Sequence, residues 1–374
     1  MALPTTRDGR QNNDALLLLF TVLAAVGLYT MRITTTINGI PVDFLESIQA
    51  GTLVDGSPIK KDYTGIKLLD EGLSFLVAAF VYGPAGWNEP YYWQQIHFLV
   101  QITPIVGVMT VEACRERNQG SWLKYTTIWA FVYQNVGGAV IVTIWWILFH
   151  RMSNSRSYYQ SGREVPLPYA RMILPGIVLF YVIPTFAIWL PTDKSLVTLQ
   201  SVLAFWQFAP LLVNIPLWLV SLTGSAATAS KSKNTDVFHL RILYAFSFFL
   251  SVAVHWYTIY GISVSPNPDI SFARVFIPSI YTWDKDIAWG LLWIFQWDWV
   301  IFALMYFIAA WVAVCDVQRV KKGEASLENI FESFFIIMTI TVGGGPGAGL
   351  SAVWFWREGN LAAIEGAPAA KKGQ

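Results

Sequence analysis

The chain has 374 residues, of which 55% are hydrophobic and 13% charged, and carries a formal charge of +1. An average soluble domain has about 25% charged residues, so this is a membrane composition, and so neutral a chain offers no field for nucleic acid or a strongly acidic surface. Its two cysteines, Cys114 and Cys315, lack any CxxC spacing and support neither a disulfide framework nor a structural zinc site.

Taking about 20 mostly apolar residues as one span, the first is ALLLLFTVLAAVGLYTM, residues 15 to 31. It is longer than a typical signal-peptide core and no A-x-A cleavage site follows, so it reads as a retained helix behind an N-terminal extension, 1 to 14. Residues 32 to 67, with Gly, Pro, Asp and Asn (INGIPVDF), read as an ordered loop on the membrane face. The second helix is expected over 68 to 86. Its purely apolar part is only about fifteen residues, which draws Asp70 and Glu71 toward the bilayer edge. Neighbours on a helix diverge by about 100°, so at most one of the two faces the interior, and Glu71 is favoured. The plainer alternative is a pair of acids favouring the helix macrodipole.

The third helix, 96 to 113, carries His97 and Gln101, four apart and on one face. That polar stripe suits a lined cavity or a ladder of hydrogen bonds between helices. Glu112, in VEACRER, reads as an interfacial partner of Arg115. Helices follow over 125 to 149, with Gln134 and Asn135, over 172 to 190, over 202 to 222, and over 240 to 261, with His255 in SVAVHWYTIYG. A second long loop covers 262 to 287.

The run AWGLLWIFQWDWVIFALMYFIAAWVAVC, residues 288 to 315, holds Asp298 well inside a span. A charge at the bilayer centre costs about 2.5 to 3.5 kcal/mol on insertion scales, so such a residue faces a cavity or a partner. Asp298 is either a buried acid bonded to a neighbouring helix or a proton donor that its apolar surroundings keep neutral. Trp297 and Trp299 flank it at mid-helix, where an interfacial aromatic belt does not reach. A last apolar run, 333 to 355, makes a ninth helix if it crosses, and 357 to 374 reads as a disordered tail. The expected fold is an all-α polytopic transmembrane bundle of eight or nine helices in one domain, 15 to 356.

Several chemistries fall away. Four histidines, His97, His150, His239 and His255, are too few for the histidine boxes of membrane desaturases, and no mid-helix lysine can carry a retinal Schiff base. The GGGPG stretch at 343 to 347 lacks the Lys-Ser/Thr of a phosphate loop and reads as a helix break. TWDKD, with Asp284 and Asp286, lacks the companion cluster that would hold magnesium on a diphosphate. An acid among aromatic rings remains, which suits protonation of an epoxide or alkene in an oily substrate. The ring faces would stabilise the cation and a dry pocket would protect it. A competing reading is a transporter or receptor-like protein with Asp298 as proton relay or ligand counter-ion, although no mirrored pair of broken helices supports it.

Three stretches, LLDEGLSFLVAAFVYGPAGWNEPYYWQQIHFLVQITPI, HLRILYAFSFFLSVAVHWYTIYG and TWDKDIAWGLLWIFQWDW, together resemble the fungal integral-membrane terpene cyclases of meroterpenoid biosynthesis. The length resembles their larger branch, associated with ascochlorin and ascofuranone pathways. The resemblance implies an enzyme of the isomerase or lyase type, free of metal and cofactor, that protonates the terminal epoxide of a farnesyl-type chain on an aromatic or polyketide head. Its partners would be that lipophilic epoxide and the bilayer, with no nucleic acid, and its membrane the endoplasmic reticulum. The family's acids in separate helices fall on Glu71 and Asp298, with Asp70 as the nearest substitute. No DxDD string of the soluble class II cyclases is present. On this reading His97, Gln101 and His255 are supporting groups or the final base, and Trp256, Tyr257, Trp297 and Trp299 form the pocket wall.

Overall fold

The computed structural model describes residues 8–190, 195–224 and 233–366, so the first seven residues of the N-terminal extension and residues 367–374 of the expected tail lie outside the described residues. In chain order the helices are α1 (Asn13–Ile37), α2 (Phe44–Ala50), α3 (Lys67–Phe80), α4 (Glu89–Cys114), α5 (Thr126–Val136), α6 (Gly138–Met152) and α7 (Leu167–Ala187). Then come α8 (Leu196–Leu212), α9 (Ile215–Leu222), α10 (Asp236–Val264), α11 (Phe272–Phe276), α12 (Ile287–Lys322), α13 (Leu327–Gly344) and α14 (Pro346–Glu365). Among the described residues the fold is all-α, with two isolated β-bridges and no strand. Among the described residues six helices, α1, α4, α7, α10, α12 and α13, are long and apolar enough to cross a membrane, and α8 with α9, bent by 46°, form either a broken seventh span or a re-entrant pair.

Local chemistry sets many of the boundaries. Asn88 caps α4, its side chain accepting from the Tyr91 amide at 2.9 Å, with Pro90 in the first turn, where the missing N–H costs nothing. Asp286, one of the TWDKD acids, caps α12 in the same way by accepting from Trp289 at 3.0 Å. The helix expected over 125 to 149 is interrupted at Gly137, whose φ of 120° is a conformation that glycine alone adopts freely. The run expected as one helix over 333 to 355 is two helices, α13 and α14, meeting at Gly345 (φ 89°) and Pro346. The expected loop over 32 to 67 contains the end of α1 and all of α2. The second expected span shortens to the 14 residues of α3, followed by turns up to Asn88.

The tail expected from 357 is also helical at first, because α14 runs to Glu365 and is locked by charge. Arg357 and Glu358 are buried with Glu112 and Arg115, at 0 to 1% exposure. Glu112 Oε1 accepts from Arg357 Nη1 at 2.9 Å and lies 3.1 Å from Arg115 Nε, while Arg115 also pairs with Glu358. Arg163 extends the network to Asp236 at 2.9 Å. Charges at one end of a membrane bundle persist only when paired, and this network ties α4, α10 and α14 together there. Between the two ends α4 is the central helix: 89% of its most apolar window is buried, against 17% for α13 at the periphery.

Candidate active site

Along α4 from Phe98 to Met109, a cavity of 650 Å³ opens between α1, α2, α3, α4, α5, α6, α7, α8 and α12. Helix period explains which side chains reach it. On α12 the lining residues are Leu291, Ile294, Phe295, Asp298 and Phe302, spaced three and four apart on one face. On α3 they are Gly72, Phe75, Leu76, Ala79 and Phe80, and on α4 Phe98, Leu99, Ile102, Ile105, Val106 and Met109. Aromatic rings dominate this wall. Phe80 lies 4.9 Å from Phe295 and 5.3 Å from Trp206, and Phe98 lies 5.3 Å from Phe302, between ring centroids. The polar ends of the deeper rings are occupied: Tyr181 donates to the Leu99 carbonyl at 2.7 Å and Trp206 Nε1 donates to Thr185 Oγ1 at 2.9 Å.

Asp298 stands three turns into α12, about 16 Å from the first helical residue at 1.5 Å per residue. Its Oδ1 accepts from the Ala139 amide at 2.5 Å. That amide is free because the break at Gly137 opens the first turn of α6. On the other side of the break, Arg32 of α1 donates to the last carbonyls of α5, to Val136 O at 3.0 Å and Asn135 O at 3.4 Å. A carboxyl at a helix N-terminus and a guanidinium at a C-terminus each match the local dipole. Arg32 belongs to a π-helical turn, Tyr29–Ile33, and the second π-turn, Val178–Val182, supplies Tyr181 to the same cavity. Irregular helical turns of this kind concentrate at functional sites. The exposed lining residues Arg32, Thr36, Asp43, Glu46 and Phe75 mark where the cavity opens.

Among the residues given a catalytic or pocket role from the sequence, Asp298 alone lines this cavity. Glu71 is 63% exposed, paired only with Lys67 at 3.9 Å, one position and about 100° from the lining residue Gly72. Asp70 is buried as a loop clasp: its carboxylate accepts from the Thr64 hydroxyl and amide, at 2.7 and 2.8 Å, and from the Gly65 amide at 3.0 Å. The Thr64 hydroxyl and these amides hold its carboxyl below the usual carboxylate range, which makes it a poor acid. His97 and Gln101 lie on the face of α4 turned from the cavity. His97 Nε2 meets His255 Nδ1 at 3.1 Å, and Gln101 joins α14, accepting from the Gly347 amide at 2.7 Å and donating to Ser251 O at 3.0 Å. These bonds form a ladder between helices, the second of the two expectations for that stripe. Trp256 and Tyr257 are 56% and 50% exposed on α10. Trp297 and Trp299, adjacent to Asp298, point elsewhere, Trp297 against Trp293 and Trp299 against Phe276 and His97.

Sequence reasoning missed Arg32, Asp43 and Glu46, because 32 to 67 reads as a surface loop. The available signal was the Gly137-Gly138 pair inside an apolar run, beside the already noted Gln134 and Asn135, both of which line the cavity.

A family model described as the CtvD domain matches residues 14–361. The chain is 25% identical over 351 residues to the terpene cyclase ascI of Acremonium egyptiacum, covering 90% of each. It is 27% identical over 315 residues to the terpene cyclase ctvD of Aspergillus terreus, covering 80% of this chain and 86% of that one. With the terpene cyclase DEP1 of Fusarium langsethiae the identity is 23% over 331 residues, 82% of this chain and 88% of the relative. No solved structure shows a significant match.

Proposed function

Since this chain belongs to the CtvD domain family and is a terpene cyclase, we propose that it starts cyclisation by acid, with Asp298 as the proton donor to the epoxide of a farnesyl-type meroterpenoid. The observation that carries this reading is the position of Asp298: a carboxyl group within the apolar helix α12 that faces a cavity where Phe80, Phe98, Trp206, Phe295 and Phe302 also line the wall. The transporter alternative yields to the family membership. The multi-pass helices fit an integral membrane enzyme, and the endoplasmic reticulum is the membrane we propose.

In the proposed sequence Oδ1 stays bound to the Ala139 amide, and the proton on Oδ2 passes to the epoxide oxygen. The tertiary C–O bond breaks, its electron pair goes to the oxygen, which becomes a hydroxyl, and the carbon becomes cationic. Alkene π-electrons then close C–C bonds, or an internal oxygen closes a C–O bond, while the ring faces of the cavity stabilise the travelling charge. Loss of a proton ends the cascade, so the product is an isomer of the substrate. Asp43 and Glu46, on the cavity lining, are the bases available to take that proton.

The test compares microsomes carrying the wild type and Asp298→Asn, each given a farnesyl-phenol epoxide, with products followed by mass spectrometry. The expected result is an isomer of unchanged mass from the wild type and, at equal expression, at least about 100-fold less from the variant, the usual worth of a general acid. Equal product from both overturns the assignment of the acid.

A further inference from the structure

We infer that Arg32 is a positioning residue, one that sets the broken helix α5–α6 against Asp298 so that the acid is held where it can reach the substrate; the inference rests on Asp298 being that acid. Three contacts close a ring around the site. Trp293 Nε1 donates to Thr30 O at 3.0 Å, which locks the π-turn of α1 to α12 five residues before Asp298. Two positions along, Arg32 donates through Nε and Nη2 to Val136 O, at 3.2 and 3.0 Å, and through Nη2 to Asn135 O at 3.4 Å. Past Gly137, the Ala139 amide donates to Asp298 Oδ1 at 2.5 Å and returns the ring to α12.

Arg32 is the charged member of the ring that does not belong to α12. Without it, the terminal carbonyls of α5 lose their donors at a point where no regular helix continues. The Gly137 link, which any backbone rotation moves, is then unsupported on the α5 side. The first amide of α6 would drift from Asp298, whose carboxyl would lose its fixed rotamer. A planar guanidinium serves two carbonyls of one helix end in a fixed fork, which an ammonium cannot reproduce. Arg32 itself lines the cavity, as Asp298 does. Substrate contact is therefore the main rival role, and the test has to separate the two.

The experiment measures initial rates of the full-length enzyme in detergent for wild type, Arg32→Ala, Arg32→Lys and Asp298→Asn, over a range of a farnesyl-phenol epoxide, after a melting scan confirms folded protein. Displacement of a reacting group by about 1 Å costs up to about 100-fold. The expected result is therefore a kcat lower by 10- to 100-fold in Arg32→Ala with KM within about threefold, an intermediate Arg32→Lys, and partial recovery of Arg32→Ala on adding methylguanidinium. A loss confined to KM assigns Arg32 to substrate contact and overturns the positioning role. Wild-type kcat in Arg32→Ala overturns it as well. If Arg32→Ala does not fold, Arg32→Lys decides: reduced kcat at unchanged KM supports the inference and wild-type values refute it. The Asp298→Asn arm keeps the two claims apart. Activity there removes the acid assignment itself, whereas an inactive Asp298→Asn beside an unaffected Arg32→Ala removes only the positioning.

Discussion

Gly138, the first residue of α6, gives a sharp test of the geometry around Asp298. A Cβ built there would stand 2.5 Å from Phe302 Cε2 and 2.8 Å from Phe302 Cζ, with Asp298 Oδ1 at 3.5 Å. Carbon atoms in contact sit about 3.5 to 4.0 Å apart, so Gly138→Ala requires the ring to retreat by about 1 Å. Phe302 is 4% exposed and boxed by Phe98 and Tyr306, at 5.3 and 5.5 Å between centroids, which leaves the cavity as its easiest direction of travel. Overpacking of this size costs about 1 to 3 kcal/mol in a closed core, and the open side brings this case to the lower end, about 1 kcal/mol. The catalytic loss is expected to be larger, because the ring moves into the substrate's space one helical turn from the acid; a 1 Å error near the reacting centre costs up to about 100-fold. The assay is a double-mutant cycle of Gly138→Ala and Phe302→Leu, read both as melting temperature in detergent and as kcat/KM. The smaller leucine should relieve the clash, with a coupling energy of about 1 kcal/mol in stability and partial recovery of rate. Strictly additive effects, or wild-type turnover by Gly138→Ala alone, would refute the packing of α6 against α12 on which the site is built.

Two further outcomes follow from the same structure. Arg357→Met leaves the Glu112 carboxylate with a guanidinium fewer inside a fully buried network, and should destabilise the protein by about 3 to 5 kcal/mol, seen as a marked drop in melting temperature, with no change in product identity from the surviving enzyme. By contrast Glu71→Gln, which removes only an exposed i,i+4 pair to Lys67, should change stability by less than about 0.5 kcal/mol and leave kcat/KM at the wild-type value; a tenfold loss of turnover would return Glu71 to the reaction.

Much of the architecture was legible along the chain because it depends on local quantities. Long apolar runs identify spans, since no backbone crosses hydrocarbon without satisfying its own hydrogen bonds. Asp286 starts α12 through a capping bond that reaches only three residues ahead, beside the expected start at 288, whereas Asn88 caps α4 seven residues before the expected start at 96. The glycine-proline break near 345 was legible in GGGPG, although the run around it was counted as one helix, and so was the peculiarity of Asp298, a charged residue type inside a long apolar run. What misled was the reading of faces. Trp297 and Trp299 flank Asp298 in sequence yet turn away from the cavity, and Glu71 neighbours a lining glycine without lining it.

The sequence by itself therefore determined the class of the fold, the place of the acid inside a long apolar run and the family resemblance, all of which are properties of runs and spacings. Only the tertiary structure decided which side of each helix meets the cavity. Period 3.6 says which residues share a face, but the polar stripe of α4 at His97 and Gln101 turns to neighbouring helices rather than to the cavity, so polarity does not mark the side that meets it. It also decided that the segment after α1, a loop by composition, supplies Asp43 and Glu46, and that Arg32 and Asp298, more than 260 positions apart, close the two ends of one broken helix. Contacts between residues so distant in the chain arise from how the helices stack, which no local pattern encodes.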